Sequence, residues 1–140
     1  MLRFNSDHKF KIMQIADTQE IPAVSPDTLS LINNALDREK PDLVIFTGDQ
    51  IKGYSKKFKK DPAIIEGTID TLVEPIAKRN IPFMVTYGNH DAQCGVDNRG
   101  QYKFYAKYDN FISGDLRNAD DVGTADIQIY SSTEDKPVSE

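Results

Sequence analysis

One cysteine, Cys94, occurs in 140 residues, so no internal disulfide can form. No apolar run approaches the ~20 residues that cross a bilayer. Met1 to Lys11 is polar and mixed in charge, without the n-region and h-region of a secretory signal. These absences predict a protein with no membrane partner, residing in the reducing cytoplasm. Positive charge is also short: 17 Lys and Arg stand against 22 Asp and Glu, a net charge of −5. An acidic balance argues against nucleic acid as a partner, because phosphate backbones are held by Lys and Arg. Histidine is scarce as well. There are two, His8 and His90, and none follows position 90.

What is present describes a globular chain, with 39% hydrophobic and 28% charged residues. We read residues 1–140 as a single domain. Phe10 to Ala16 alternates and then turns apolar, as a strand entering a core does. Ser25-Pro26 reads as an N-cap followed by proline at the first helical position. Leu29, Ile32, Ala35 and Leu36 then share a helical face, and Pro41 ends that helix. Leu43 to Phe46 is a continuous apolar run, the pattern of a strand buried on both faces.

Gly53 to Lys60 reads as a lysine-rich loop. Asp61-Pro62 repeats the cap-plus-proline start, with Ile65, Ile69, Leu72, Val73 and Ile76 on one face. Ile81 to Tyr87 is a third strand. The order β-α-β-α-β predicts an α/β fold with a parallel sheet. Beyond it, Ala92 to Gly100 reads as a polar loop, and Phe104 to Ile112 as a short aromatic helix. Gly114 to Gly123 is again a loop, Ile127 to Tyr130 a further strand, and the last residues a turn-like tail.

Each of the three strands is followed by residues that can ligate a metal: Asp17 and Gln19, then Gly48-Asp49, then Gly88-Asn89-His90-Asp91. The carboxyl ends of parallel strands face one crevice, so three separate segments would aim donors at one place. Residues two apart on an extended chain point the same way, which would bring Asp17 and Gln19 to one ion. Asp49 could bridge two ions through its two oxygens. Asn89 offers a hard amide oxygen. His90 could reach a substrate phosphate, with Asp91 on its other ring nitrogen. Taken singly, each segment is also ordinary turn chemistry. Their coincidence at three strand ends is what points to phosphoryl transfer.

These three blocks, with Lys11-Ile12-Met13-Gln14-Ile15-Ala16-Asp17 and Asp42 to Gln50 around them, resemble the calcineurin-like metallophosphoesterases, in the branch that resembles purple acid phosphatases. The resemblance is strongest over residues 10–92. It implies the start of an αββα sandwich and two divalent ions. Their identity among Mn, Fe, Zn and Mg is left open. It further implies a phosphoester substrate hydrolysed by hydroxide attack on phosphorus. Asp17 and Gln19 would bind the first ion, Asp49 both and Asn89 the second. His90 would serve the leaving oxygen, oriented by Asp91.

The departures are equally specific. The family usually has His where Gln19 stands, and it needs a later lone His and a Gly-His-x-His block that this chain lacks. We therefore read the chain as the N-terminal portion of such a domain. The alternative is a truncated or degenerate fold that binds at most one divalent ion and does not turn over. If the second sheet is missing, the uncovered sheet face predicts self-association. His8 and Cys94 read as ordinary surface and loop residues. Lys52, Lys56, Lys57, Lys59 and Lys60 read as solvated charge. Tyr54 and Tyr87 are open between hydrogen-bond donors behind the metals and packing residues. Arg99 could line a substrate wall.

Overall fold

The computed structural model describes residues 1–113, 122–134 and 137–139. Its centre is a parallel sheet of β2 (Ile12–Ile15), β3 (Leu43–Thr47) and β4 (Phe83–Thr86), in the order β2-β3-β4. A second, smaller sheet runs β1-β5-β6, with β1 (Leu2–Arg3) parallel to β5 (Ile129–Tyr130) and β6 (Pro137–Ser139) antiparallel to it. Among the described residues no helix is long and apolar enough to cross a membrane.

The strand order explains where the core lies. Two successive right-handed crossovers that step the same way across a sheet put both helices on one face. Accordingly α1 (Pro26–Glu39) packs on α2 (Pro62–Ala77), and α2 on α3 (Asn98–Ala106). The register aligns Met13, Val44 and Phe83, then Ile15, Phe46 and Val85, so these six side chains share that face. They join Leu36, Ile65, Ile69, Leu72, Val73, Ile76 and Tyr105 in one cluster. Phe46 and Phe83 are wholly buried and meet edge to face. Burying such a side chain stabilises the fold by about 1.5–3 kcal/mol.

The other face carries Ile12, Gln14, Leu43, Ile45, Thr47, Met84 and Thr86. Leu43 is buried, Ile12 is 50% exposed, Gln14 is exposed and the others are half-buried.

Local chemistry sets the helix ends, not always as expected. Asp61 does cap α2, its carboxylate accepting from Ala63 N at 2.9 Å. Ser25 makes no side-chain cap; its own N–H donates to the Glu20 carboxylate at 3.0 Å, so Glu20 ties down the entry to α1. The Gly53–Lys60 segment is more ordered than a polar loop. It contains a 3-10 turn at Lys56–Phe58, because Phe58 is wholly buried and anchors it.

Ala92 to Gly100, expected as a loop, holds the end of a second 3-10 turn, Asp91–Cys94, and the start of α3. Asp97 supplies the cap there, accepting from Gly100 N at 2.7 Å. The aromatic helix consequently starts and stops early. Phe111 lies past it and adds to the edge of β4, with Phe83 N donating to Asn110 O and Ile112 N to Phe83 O. Of Ile127 to Tyr130 only the last two residues are strand, and part of the expected turn-like tail is β6. The expected loop from Gly114 lies outside the described residues up to 121.

Candidate metal and phosphoester site

The three strands end in loops that are tied to one another by backbone. Asp17 N donates to Gly48 O at 3.0 Å, Gln19 N to Asp49 O at 2.9 Å and Glu20 N to Gln50 O at 3.1 Å. The segment after β2 thus runs alongside the segment after β3. On the other side, His90 N donates to the Asp49 carboxylate at 2.9 Å, joining the segments after β3 and β4.

Two glycines permit this approach. A Cβ on Gly88 would lie 2.1 Å from Asp49 Oδ1, and a Cβ on Gly48 would lie 2.7 Å from Gly88 N. Gly48 also has φ +112°, which L side chains rarely adopt.

Asp17 (φ +53°), Gln19 (φ +42°) and Asp49 (φ +53°) are all left-handed. Non-glycine residues hold this conformation at a cost of about 1–3 kcal/mol each. It also replaces the extended geometry expected of Asp17 and Gln19. These two residues are placed by their ties to the β3 loop and not by strand alternation. Asp17 is exposed, Gln19 half-buried, Asp49 buried and Asn89 exposed.

Asp91 does not hold the His90 ring. It is wholly buried, and its Oδ2 accepts from Asp49 N and Gly88 N, both at 2.8 Å, while Oδ1 accepts from Ile51 N at 3.2 Å. One carboxylate thereby pins both later loops. Burial pushes its pKa above the ordinary carboxylate value, against the three amide hydrogen bonds that pull it down.

The His90 ring is met instead by Gln93, whose Oε1 lies 3.0 Å from Nδ1. An amide oxygen there requires the proton on Nδ1. Tyr54 stands against the same ring, centroids 4.9 Å apart. Behind this turn Gln101, wholly buried on α3, donates from Nε2 to Asp91 O and Val96 O, both at 2.8 Å. Gln93, Gln101 and Tyr54 owe their places to the fold, and no local pattern marks a glutamine as buried or ring-facing.

The residues expected to face an ion, Asp17, Gln19, Asp49 and Asn89, can all offer oxygen ligands, which would suit a hard divalent cation. Among the described residues no group of three or more His, Cys, Asp and Glu side chains could hold a metal ion. The donors present therefore fit part of a site.

A family model for calcineurin-like phosphoesterases matches residues 10–135. The chain belongs to that family. The calcineurin-like chain is 28% identical over 128 residues to a protein of Arabidopsis thaliana named "probable inactive purple acid phosphatase 14", covering 80% of this chain and 31% of that one. It is 32% identical over 105 residues to "phosphatase DCR2" of Saccharomyces cerevisiae, covering 64% and 17%. A solved dimetal phosphatase from Danio rerio aligns at 19% identity with a TM-score of 0.47, over 60% of this chain and 30% of that one. The chain spans about a third or less of the length of these relatives.

The other residues singled out in this calcineurin-like chain have plainer places. His8 is exposed in the turn before β2. Cys94 is buried and burial pushes its thiol up, away from reactive thiolate. Lys56, Lys57, Lys59 and Lys60 are exposed. Tyr87 packs against Tyr105, and its buried hydroxyl finds no partner among the described residues.

Proposed function

We propose that the chain carries the part of a metal-dependent phosphoesterase site built by the first three strand ends. Asp17, Gln19, Asp49 and Asn89 would face the divalent ions. His90 would face the oxygen that leaves phosphorus, its Nδ1 proton held by Gln93 so that Nε2 remains for the substrate. Asp91 is the buried tie that keeps Asp49 and the His90 turn together. Divalent ions there would neutralise phosphoryl oxygens and activate a water. The reading rests on one observation: the Asp49 carboxylate accepts the His90 amide across loops that Gly48 and Gly88 let touch. The buried, single Cys94 fits a reducing cytoplasm, the compartment we propose.

The sparse donor set favours a second reading, in which the chain binds one ion weakly and does not turn over. Calorimetric titration of Mn²⁺, run beside hydrolysis of chromogenic phosphomonoesters and phosphodiesters, separates the two. The first reading expects ion uptake and turnover, both lost in Asp49→Ala. Weak uptake without turnover supports the second. No uptake at all, or uptake indifferent to Asp49, refutes both.

A further inference from the structure

The loop after β3 carries two side chains that the ion and histidine roles leave unused. Tyr54 is 51% exposed, yet its ring stands edge-on to His90 at an interplanar angle of 63°. The Lys52 ammonium lies 5.2 Å from the centre of the Tyr54 ring. Cation and ring at this distance attract one another through the ring quadrupole. The loop's remaining lysines point into solvent, whereas Lys52 is half-buried.

The backbone around Tyr54 is fixed on both sides. Gly53 is packed so closely on the His90 turn that a Cβ there would lie 2.0 Å from His90 O. Ile51 N donates to Asp91, Ser55 N donates to Lys52 O, and Phe58 is wholly buried. An aromatic ring is therefore held firmly beside the histidine while one side of it stays open. Aromatic pairs are favoured beyond their burial when rings meet edge-on or offset.

We propose that Tyr54, with Lys52 beside it, is the specificity wall for the leaving group, selecting phosphoesters whose ester oxygen carries a flat aromatic ring over alkyl esters. This rests on the reading of His90 as the residue facing the leaving oxygen. The Tyr54 and His90 ring centres are 4.9 Å apart, so a ring on an oxygen that meets His90 would come against Tyr54. A small alkyl group leaves the open side of Tyr54 in water. Lys52 packs on the Tyr54 ring and adds positive charge beside it for an anionic substrate.

The test is calorimetric binding of phenylphosphonate and methylphosphonate, neither of which can be hydrolysed at an ester oxygen, to the Mn²⁺-loaded chain. Wild type, Tyr54→Ala and Tyr54→Phe are compared. Tyr54→Ala should weaken phenylphosphonate about three- to tenfold and leave methylphosphonate unchanged. Tyr54→Phe keeps the ring and should restore the difference, which also guards against a folding effect. Equal loss for both ligands, or no loss for either, overturns the role of Tyr54 while leaving the phosphoesterase reading standing. Wild type that binds neither phosphonate overturns the phosphoesterase reading and this inference together.

Discussion

The two ends of the parallel sheet are built from the same three strands but packed to different closeness. At the carboxyl end the loops approach backbone to backbone, with the Asp49 and Asp91 carboxylates bonded across them, and what allows it is the absence of side chains at Gly48, Gly53 and Gly88. At the amino end backbone bonds, such as Asp42 N to Lys11 O and Val44 N to Pro82 O, are joined by side-chain ties. The Asp42 carboxylate accepts from Lys11 N at 2.7 Å, Asn110 donates to Ile81 O, and Tyr108 leans on Phe83. An open groove of about 720 Å³, lined by Leu2, Pro82, Phe111, Ile127 and Tyr130 among others, lies at that end. Backbone contact has no slack, since a single added methyl group has nowhere to go. Side-chain contact at a half-open edge can re-form with water. The carboxyl end should therefore be brittle and the amino end tolerant.

The sharpest way to break that contrast is Gly88→Ala. The added Cβ would meet Asp49 at its carboxylate, its Cγ and its amide. The two loops must part, at a cost of about 3 kcal/mol, with ion uptake lost. Urea unfolding measures the first effect and Mn²⁺ titration the second. A variant of wild-type stability would mean that the two loops are free to separate.

Asp91→Asn comes next. An amide has one acceptor oxygen where the carboxylate has two, and it turns a donor toward backbone N–H groups that also donate. With three amides on Asp91, at least one is left unpaired, for about 2 kcal/mol. Rescue of stability by Asp91→Glu would show that the charge alone matters and not the fit of the three bonds.

The smallest effect belongs to the amino end. Burial, and next the hydrogen bond to Asp70 at 2.7 Å, hold the Tyr108 phenol above its ordinary value. The folded chain then keeps a proton that the unfolded chain releases, so stability falls as pH rises above the ordinary tyrosine value. Tyr108→Phe should flatten that alkaline fall in thermal midpoint and cost less than about 1 kcal/mol near neutral pH. A loss as large as that of Gly88→Ala would abolish the distinction between the two ends.

The elements were legible where period and punctuation agree. Proline at the first turn of α1 and α2, the spacing of Ile65, Ile69, Leu72, Val73 and Ile76, and the apolar run of β3 each speak through local chemistry. The start of α3 was missed because its cap, Asp97, stands in a stretch whose polarity resembles a loop. The 3-10 turn at Lys56–Phe58 was missed because one buried phenylalanine outweighs the lysines around it.

In the site, the order of chemistry along the chain was legible: Asp17, Gln19, Asp49, Asn89, His90 and Asp91 each fall where a strand stops. What Asp91 does was not. A carboxylate beside a histidine in sequence suggests a pair, but the His90 turn sends the two side chains apart. Asp91 goes inward to three amides and His90 outward to Gln93 and Tyr54.

By itself the sequence determined that Asp17, Gln19, Asp49, Asn89 and His90 would follow the strands of a parallel sheet and so gather at one end of it. Periodicity and helix caps act over a few residues, and a strand's direction sets which end its following loop occupies. Only the tertiary structure decided who meets whom there. The left-handed turns at Asp17, Gln19 and Asp49, the contact of Gly48 with Gly88, and the placing of Tyr54 on His90 arise when separate loops are pressed together. Such contacts depend on shape across 40 residues or so of intervening chain, as between Asp49 and His90, and no local pattern encodes them.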